Sequence, residues 1–351
     1  MRIHGLTQRF TISRGLKIRN SKLETRNFPL KVLTVATRGG ALATAQTEIV
    51  NAGLQRIYPD LKIEIKTVAT RGDRDRRTAL WDLKDSGFFT SQVEDALLAG
   101  EADLAVHSFK DLPTRLREGL TIAAVCDRAF PEDCMVSPNP ISAIEQLGNS
   151  AKIGTSSLRR AVQIRRLRKD LEPAPIRGNV QTRLRKVDKG ESFGLAQDRF
   201  DAVILARAGL ERLGLGDKIS FCFDPRQFIP APAQGALAVQ TRSDDAQTRK
   251  LVAAIDNAKA RIITSAERQI LVTMQCGCHA PVGAFADIVG DNIEICAFIS
   301  DLQGENLVRR EIVGPASKGQ AFAEQIAQEL LQDGGSEILA RLEKARNTNG
   351  T

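Results

Sequence analysis

Aromatic residues are scarce in this 351-residue chain, with one Trp, one Tyr and fourteen Phe. Single-stranded nucleic acid is bound on successive stacking rings, so that function is poorly supplied here. No run approaches the roughly 18 uninterrupted apolar residues of a membrane-spanning helix, and no membrane span is expected. The six cysteines (126, 134, 222, 276, 278 and 296) follow no framework pattern. Free thiols in a reducing compartment are therefore expected rather than a secreted disulfide scaffold. Cys276, Cys278 and His279 could ligate a metal, but zinc sites use Cys-x2–4-Cys spacing with a second ligand pair. The chain supplies no such pair, so no metal is expected.

What is present is ordinary for a soluble globular protein: 42% hydrophobic and 26% charged residues. The length suits two or three domains. The formal charge is +8, which bears on solubility and nonspecific binding rather than on fold. Part of the excess lies in residues 1–30, rich in Arg and Lys with Glu24 as their one acid. That segment reads as a transit peptide, a disordered extension or an early start. The expected location is cytoplasmic, or a plastid or mitochondrion if the segment is a transit peptide.

From Lys31 the pattern is regular. Residues 32–37 read as a buried strand, 41–58 as a helix, 61–68 as a half-buried strand, 92–98 as a helix, and 102–107 and 120–126 as strands. The cycle repeats with a strand at 152–154, a helix at 157–167, a strand near 175–176, a helix at 180–188, a strand at 201–206 and a helix at 209–215. Alternation at these spacings argues for α/β units with largely parallel sheets. A late apolar strand at 235–240 can return to the first sheet. Beyond Asp244 a helix at 258–271, strands at 283–287, 293–299 and 307–313, and helices at 322–331 and 336–345 form a small α+β domain. The expected division is 31–127 with 235–250 as domain 1, 128–234 as domain 2 and 251–345 as domain 3.

Basic residues recur where strands end and helices begin: Thr37-Arg38-Gly39-Gly40, Thr70-Arg71-Gly72-Asp73, Gly154-Thr155-Ser156-Ser157-Leu158-Arg159-Arg160, and Ile176-Arg177-Gly178-Asn179 with Arg183 one turn on. In open α/β sheets ligands gather at the carboxyl ends of strands, where helix N-termini offer N–H groups to anions. Arginines grip carboxylates and phosphates there in bidentate pairs. Four such loops point to one polyanion-binding cleft. Arg165, Arg166, Arg168 and Lys169 are expected on a solvated helix face. Asp111, directly after the strand ending at His107, is either a helix N-cap or a carboxylate that stabilises positive charge on a substrate nitrogen. Cys278, between Gly277 and Pro281/Gly283, is either a small residue at a turn or a thiol with room for a bulky attached group.

Together these segments closely resemble the porphobilinogen deaminases, also called hydroxymethylbilane synthases, from about residue 33 to residue 342. The markers are Ala-Thr-Arg at 36–38, Thr-Arg-Gly-Asp at 70–73, Ala-Val-His-Ser-Phe-Lys-Asp-Leu-Pro at 105–113 and Gly-Thr-Ser-Ser-Leu-Arg-Arg at 154–160. They continue with Arg-Gly-Asn-Val at 177–180, Ala-Gly-Leu-Glu-Arg-Leu-Gly at 208–214, Pro-Ala-Gln-Gly at 232–235 and Cys-Gly-Cys-His-Ala-Pro-Val-Gly at 276–283. The resemblance implies two doubly wound lobes like those of periplasmic binding proteins, plus a small third domain. It implies a covalent dipyrromethane cofactor, joined by a thioether to Cys278. Four porphobilinogen molecules would be condensed onto it with loss of ammonia, and water would release the linear tetrapyrrole hydroxymethylbilane.

Carried over by position, Asp111 is the catalytic aspartate. Lys110, Ser157, Arg159, Arg160 and Arg183 would bind the cofactor, and Arg38, Arg177 and Arg212 the carboxylates of porphobilinogen. No nucleic-acid or membrane partner is implied, and a monomer is expected. Three departures stand out: Gly39-Gly40 where a Gln-Ser pair is common, Ser86 for a lysine in the segment 85–89, and an apparent insertion at 192–199. A noncatalytic solute-binding protein would explain the arginines but not the Cys278 loop or the third domain. A nucleic-acid binder would explain the charge but not the dispersed placement of the basic residues.

Overall fold

The run Val-Leu-Thr-Val-Ala suits a strand covered on both faces. In the structure, a computed structural model that describes residues 32–69, 90–187, 199–277 and 280–348, it forms β1 (Val32–Arg38). Gly39 and Gly40 end the strand, and α1 (Ala41–Ile57) packs Val50 and Leu54 back onto Leu33 and Val35. β2 (Lys62–Val68) runs parallel to β1, with Val32 opposite Lys62. After α2 (Ser91–Leu98), β3 (Leu104–Ser108) pairs parallel with β1 on its other side. β4 (Leu120–Val125) is separated from β3 by β10 (Leu237–Arg242), which lies antiparallel to both. The first sheet thus has the order β2-β1-β3-β10-β4, and the late apolar strand does return to it. α6 (Ala246–Val252) follows β10 and puts Leu251 and Val252 into the same core. The first lobe's packing therefore runs past residue 250.

The second sheet collects β5 (Asp133–Val136), β6 (Lys152–Gly154), β7 (Glu172–Ala174), β8 (Ala202–Ala206) and β9 (Phe221–Cys222) in the order β7-β6-β8-β5-β9. β7, β6 and β8 are parallel, and β5 runs antiparallel between β8 and β9. α3 (Leu158–Leu167), α4 (Val180–Arg185) and α5 (Arg207–Arg212) follow β6, β7 and β8. The third domain packs α7 (Ala258–Thr273), α8 (Gly319–Leu330) and α9 (Ser336–Thr348) on an antiparallel sheet of β11 (Val282–Val289), β12 (Asn292–Ser300) and β13 (Leu307–Pro315). Ile263, Ile270, Ile295 and Ile326 lie in its core. The fold is two mixed α/β domains with a smaller α+β domain at the C-terminal side.

Two segments cross between the lobes, one leading from β4 to β5 and one from β9 to β10. They touch: Cys126 N donates to Leu237 O (2.9 Å) and Ala129 N to Gly235 O (3.3 Å). Gly235 permits this approach, because it has φ +92° and a Cβ there would stand 2.4 Å from Ala129 O. The crossing is bolted to the third domain by a buried ion pair, Arg128 to Glu267 at 2.6 Å. Arg128 also donates to Gln234 O (3.0 Å) and Ala286 O (2.9 Å), while Glu267 accepts from Ala233 N (2.6 Å) and Ala286 N (2.7 Å). These bonds to backbone groups help make a buried charge pair tolerable.

Candidate active site

On the first lobe, β3 ends at Ser108 and turns through one 3-10 turn, Phe109–Asp111. Phe109 and Leu112 are buried against Ala236 and Ala238, so the residues between them are fixed in place. Lys110 is half-buried and Asp111 is exposed. Arg268, from α7, donates to Phe109 O (3.3 Å), Leu112 O (3.0 Å) and Pro113 O (2.5 Å), with its guanidinium 4.5 Å from the Phe109 ring centroid. The third domain therefore holds the turn that carries Lys110 and Asp111.

Arg38 ends the neighbouring strand, half-buried. Close to it His107 is buried, and its pKa falls to about 4. Burial is the main cause, a contact with Gln240 opposes it and the Arg38 charge reinforces it. His107 is therefore neutral at physiological pH. Gly40, at φ +116°, caps α1 without a side-chain hydrogen bond.

On the second lobe the organising group is Asp133, at the start of β5 and fully buried. It accepts from Arg159 (2.7 Å), from Arg160 through Nε (3.1 Å) and an Nη (2.7 Å), and from Gln234 Nε2 (2.9 Å). Burial would raise the Asp133 carboxyl, but the two guanidiniums prevail and hold it well below the usual carboxylate range. Arg159 also donates to Ile229 O (2.6 Å) and Arg160 to Ile204 O (3.0 Å). Both arginines sit in the first turn of α3, where Ser157 is the N-cap residue without a side-chain cap bond. Ser156 ties the loop to its neighbour by donating to Ile176 O (2.5 Å) and accepting from Ile176 N (3.1 Å).

The lobes meet at Gln234, whose Oε1 accepts from Lys110 Nζ at 3.1 Å. Burial lowers the Lys110 ammonium to about 8; Asp111 and Asp133 oppose this, while Arg160 and Arg159 add to it. Arg183, donating through Nε to Gly178 O (2.8 Å), is lowered to about 10 by burial, with Arg160 and Arg177 reinforcing and Asp111 opposing. Lys110, Asp111, Arg159, Arg160, Arg177 and Arg183 thus form one electrostatic group across the cleft. Arg38 lies on the first-lobe side of it. Arg212 sits at the crossing, donating to Gly235 O (2.5 Å), and burial lowers it to about 10.

Cys278, Thr70 to Asp73, Ser86 and residues 192–198 lie outside the described residues. The expected solvated face of α3 is partly otherwise: Arg165 reaches the third domain at Leu302 O (2.8 Å), and Arg168 donates to Ile144 O (3.2 Å) and Leu147 O (2.8 Å). Asp133, Gln234 and Arg268 were not singled out from sequence. A carboxylate heading the apolar run Cys-Met-Val was the available signal for Asp133.

Cations outnumber carboxylates in this group; burial lowers Lys110 and Arg183 first, and the neighbouring arginines add to it. A ligand bearing several carboxylates would balance that excess, and the donor set fits a dipyrromethane with acetate and propionate arms. Two α/β lobes with basic strand ends, steadied by an α+β domain, define a two-lobed protein with a group of cations shared between its lobes. Residues 33–250 match the model of the porphobilinogen deaminase dipyrromethane cofactor binding domain, and residues 262–332 that of the porphobilinogen deaminase C-terminal domain. A porphobilinogen deaminase of Desulforudis audaxviator is 42% identical over 310 residues, spanning 88% of this chain and 97% of the relative. Another, of Syntrophobacter fumaroxidans, is 38% identical over 315 residues, spanning 90% of this chain and 99% of the relative. This chain belongs to the porphobilinogen deaminase family. Its reaction is the condensation of porphobilinogen units into hydroxymethylbilane, through a dipyrromethane-binding domain.

Proposed function

We propose that Asp111 is the catalytic group of this reaction and that Cys278 carries the dipyrromethane. The observation that supports this most is the placement of an exposed carboxylate, on a turn fixed at both ends, within reach of the charges of Lys110 and Arg183. Bound through a thioether to Cys278, a dipyrromethane would supply the pyrrole carbon to which incoming units add. Asp111 accepts the pyrrole N–H of porphobilinogen and stabilises the positive charge that develops on that nitrogen as the aminomethyl C–N bond breaks and ammonia leaves. Arg183, Arg177 and Arg38 hold the acetate and propionate groups, and Lys110 supplies a further charge. Arg159 and Arg160, engaged with Asp133, set the potential of the cleft and offer their remaining edges. Ser157 and Arg212 complete the rim.

Among the described thiols, Cys134 is an unsuitable attachment point. It lies in the core with Val203 and Leu205, donates to Leu205 O (3.4 Å), and burial pushes its pKa up. The residue ranges 31–127 with 235–250, 128–234 and 251–345 serve as a working division, with Leu251 and Val252, the end of α6, moved to the first lobe. The free described cysteines fit a reducing compartment such as the cytoplasm.

Asp111→Asn tests the assignment. Turnover of porphobilinogen is expected to fall about 100- to 1000-fold with the melting temperature unchanged, since the side chain is exposed. Retention of half the wild-type turnover would remove Asp111 from the chemical step.

A further inference from the structure

Two cysteines outside the reaction face each other across the edge of the second sheet. Cys134 of β5 is the direct partner of Cys222 of the edge strand β9. Phe223 N donates to Asp133 O at 2.9 Å, so the ladder bond lies beyond the pair. This is the pattern of a non-hydrogen-bonded antiparallel pair, in which Cα atoms stand about 4.5 Å apart. Directly opposed residues project to the same face of a sheet. Phe221 and Phe223 flank Cys222 and pack on the opposite face, in the cluster of Met135, Ile153 and Ile204, whereas Cys134 packs with Val203 and Leu205. A disulfide needs Cα atoms roughly 4.4–6.8 Å apart, and this pairing satisfies that without moving the backbone. Both thiols are free; Cys222 is exposed and Cys134 fully buried.

We propose that Cys134 and Cys222 form a dithiol–disulfide site that closes when a small disulfide oxidant is present. Cys222 is the entry point. Its thiolate attacks one sulfur of the oxidant and expels the other as a thiol, leaving a mixed disulfide on Cys222. Cys134 gives up its proton and its bond to Leu205 O, then attacks the Cys222 sulfur and expels the second thiol. Two protein thiols are oxidised and one external disulfide is reduced to two thiols, so atoms and electrons balance.

Burial, with Glu132 and Glu211, raises the Cys222 thiol above its ordinary value, and Arg207, held by Glu132 (2.8 Å) and Glu211 (2.8 Å), partly opposes this. Exchange is therefore expected to quicken above neutral pH. The bond would close the stretch from 134 to 222, which contains Arg159, Arg160, Arg177, Arg183 and Arg212, and would weld the edge strand beside Asp133. A cross-link over so long a stretch restricts the unfolded chain.

The test uses the full-length protein incubated with excess oxidised glutathione at mildly alkaline pH, followed by intact mass, non-reducing peptide mapping and thermal melting. The expected product has lost two hydrogen atoms, yields one linked peptide pair containing Cys134 and Cys222, and melts roughly 5 °C or more above the reduced protein. Cys222→Ser, a change at an exposed edge position, should show neither the linked pair nor the shift. A persistent glutathione adduct on Cys222, links between other cysteines, or unchanged thiols at 134 and 222 would each overturn the proposal.

Discussion

The two lobes bring charge to the cleft in different ways. The first lobe offers it on a strand terminus: Lys110 and Asp111 ride a single turn whose ends, Phe109 and Leu112, are buried, and whose carbonyls are held by Arg268. The second lobe offers it on a buried scaffold: Asp133 gathers Arg159, Arg160 and Gln234 below the surface. Functional groups near the surface leave stability nearly untouched when changed, whereas groups in a saturated buried network carry the fold and the electrostatics together. Asp111 and Asp133 are the cleanest contrast, being carboxylates facing overlapping sets of cations with opposite exposure.

That contrast can be broken most forcefully at Asp133. Asp133→Ala strands two buried guanidiniums and should cost about 3–5 kcal/mol of stability, read as a fall in the urea midpoint. A loss below about 1 kcal/mol, the scale of an exposed ion pair, would place Asp133 among the surface groups. On the first lobe, His107 is the buried exception. Its folded pKa of about 4 lies below the ordinary histidine value of 6.5, so the unfolded chain binds the extra proton as the pH drops. The neutral form's stabilising preference is fully present above about pH 6.5 and is lost as the pH falls toward 4. The loss amounts to about 3 kcal/mol. Unfolding titrations across that window should show the slope in wild type and a flatter one in His107→Asn; equal slopes would remove His107 from the balance.

The smallest effect is expected at Arg183. Arg183→Ala should raise KM about tenfold, equivalent to about 1.4 kcal/mol, with a smaller loss of stability than Asp133→Ala, because Arg183 lies outside the Asp133 network. Arg160→Ala should instead lower the urea midpoint, because it removes a partner of Asp133. If both variants behaved alike, the division between a surface set and a buried set would fail.

Much of this organisation was readable from sequence, because it rests on local periodicity. The strand at 32–38 and the helix after it announce themselves by apolar spacing, and the run from Leu237 returns to the first sheet because its apolar, β-branched character suits an interior strand. The clustering of Arg177 and Arg183 with Lys110 and Asp111 follows from their place at strand ends. What stayed hidden depends on distant partners. β5 is only four residues long, so beyond the carboxylate heading its short apolar run little local distinguishes it from a loop. Arg165 reads as solvated until Leu302, in another domain, arrives above it. Arg268 lies on an ordinary amphipathic helix, and its role appears only where the 109–113 carbonyls converge on it.

The central claim, that this cleft works around a primer carried by Cys278, is tested most directly by intact mass under denaturing conditions. The purified protein should weigh one dipyrromethane more than its polypeptide, Cys278→Ala should show the bare polypeptide mass, and Cys134→Ser should keep the addition. An added mass that survives in Cys278→Ala, or that disappears in Cys134→Ser alone, would contradict the account and move the attachment point elsewhere.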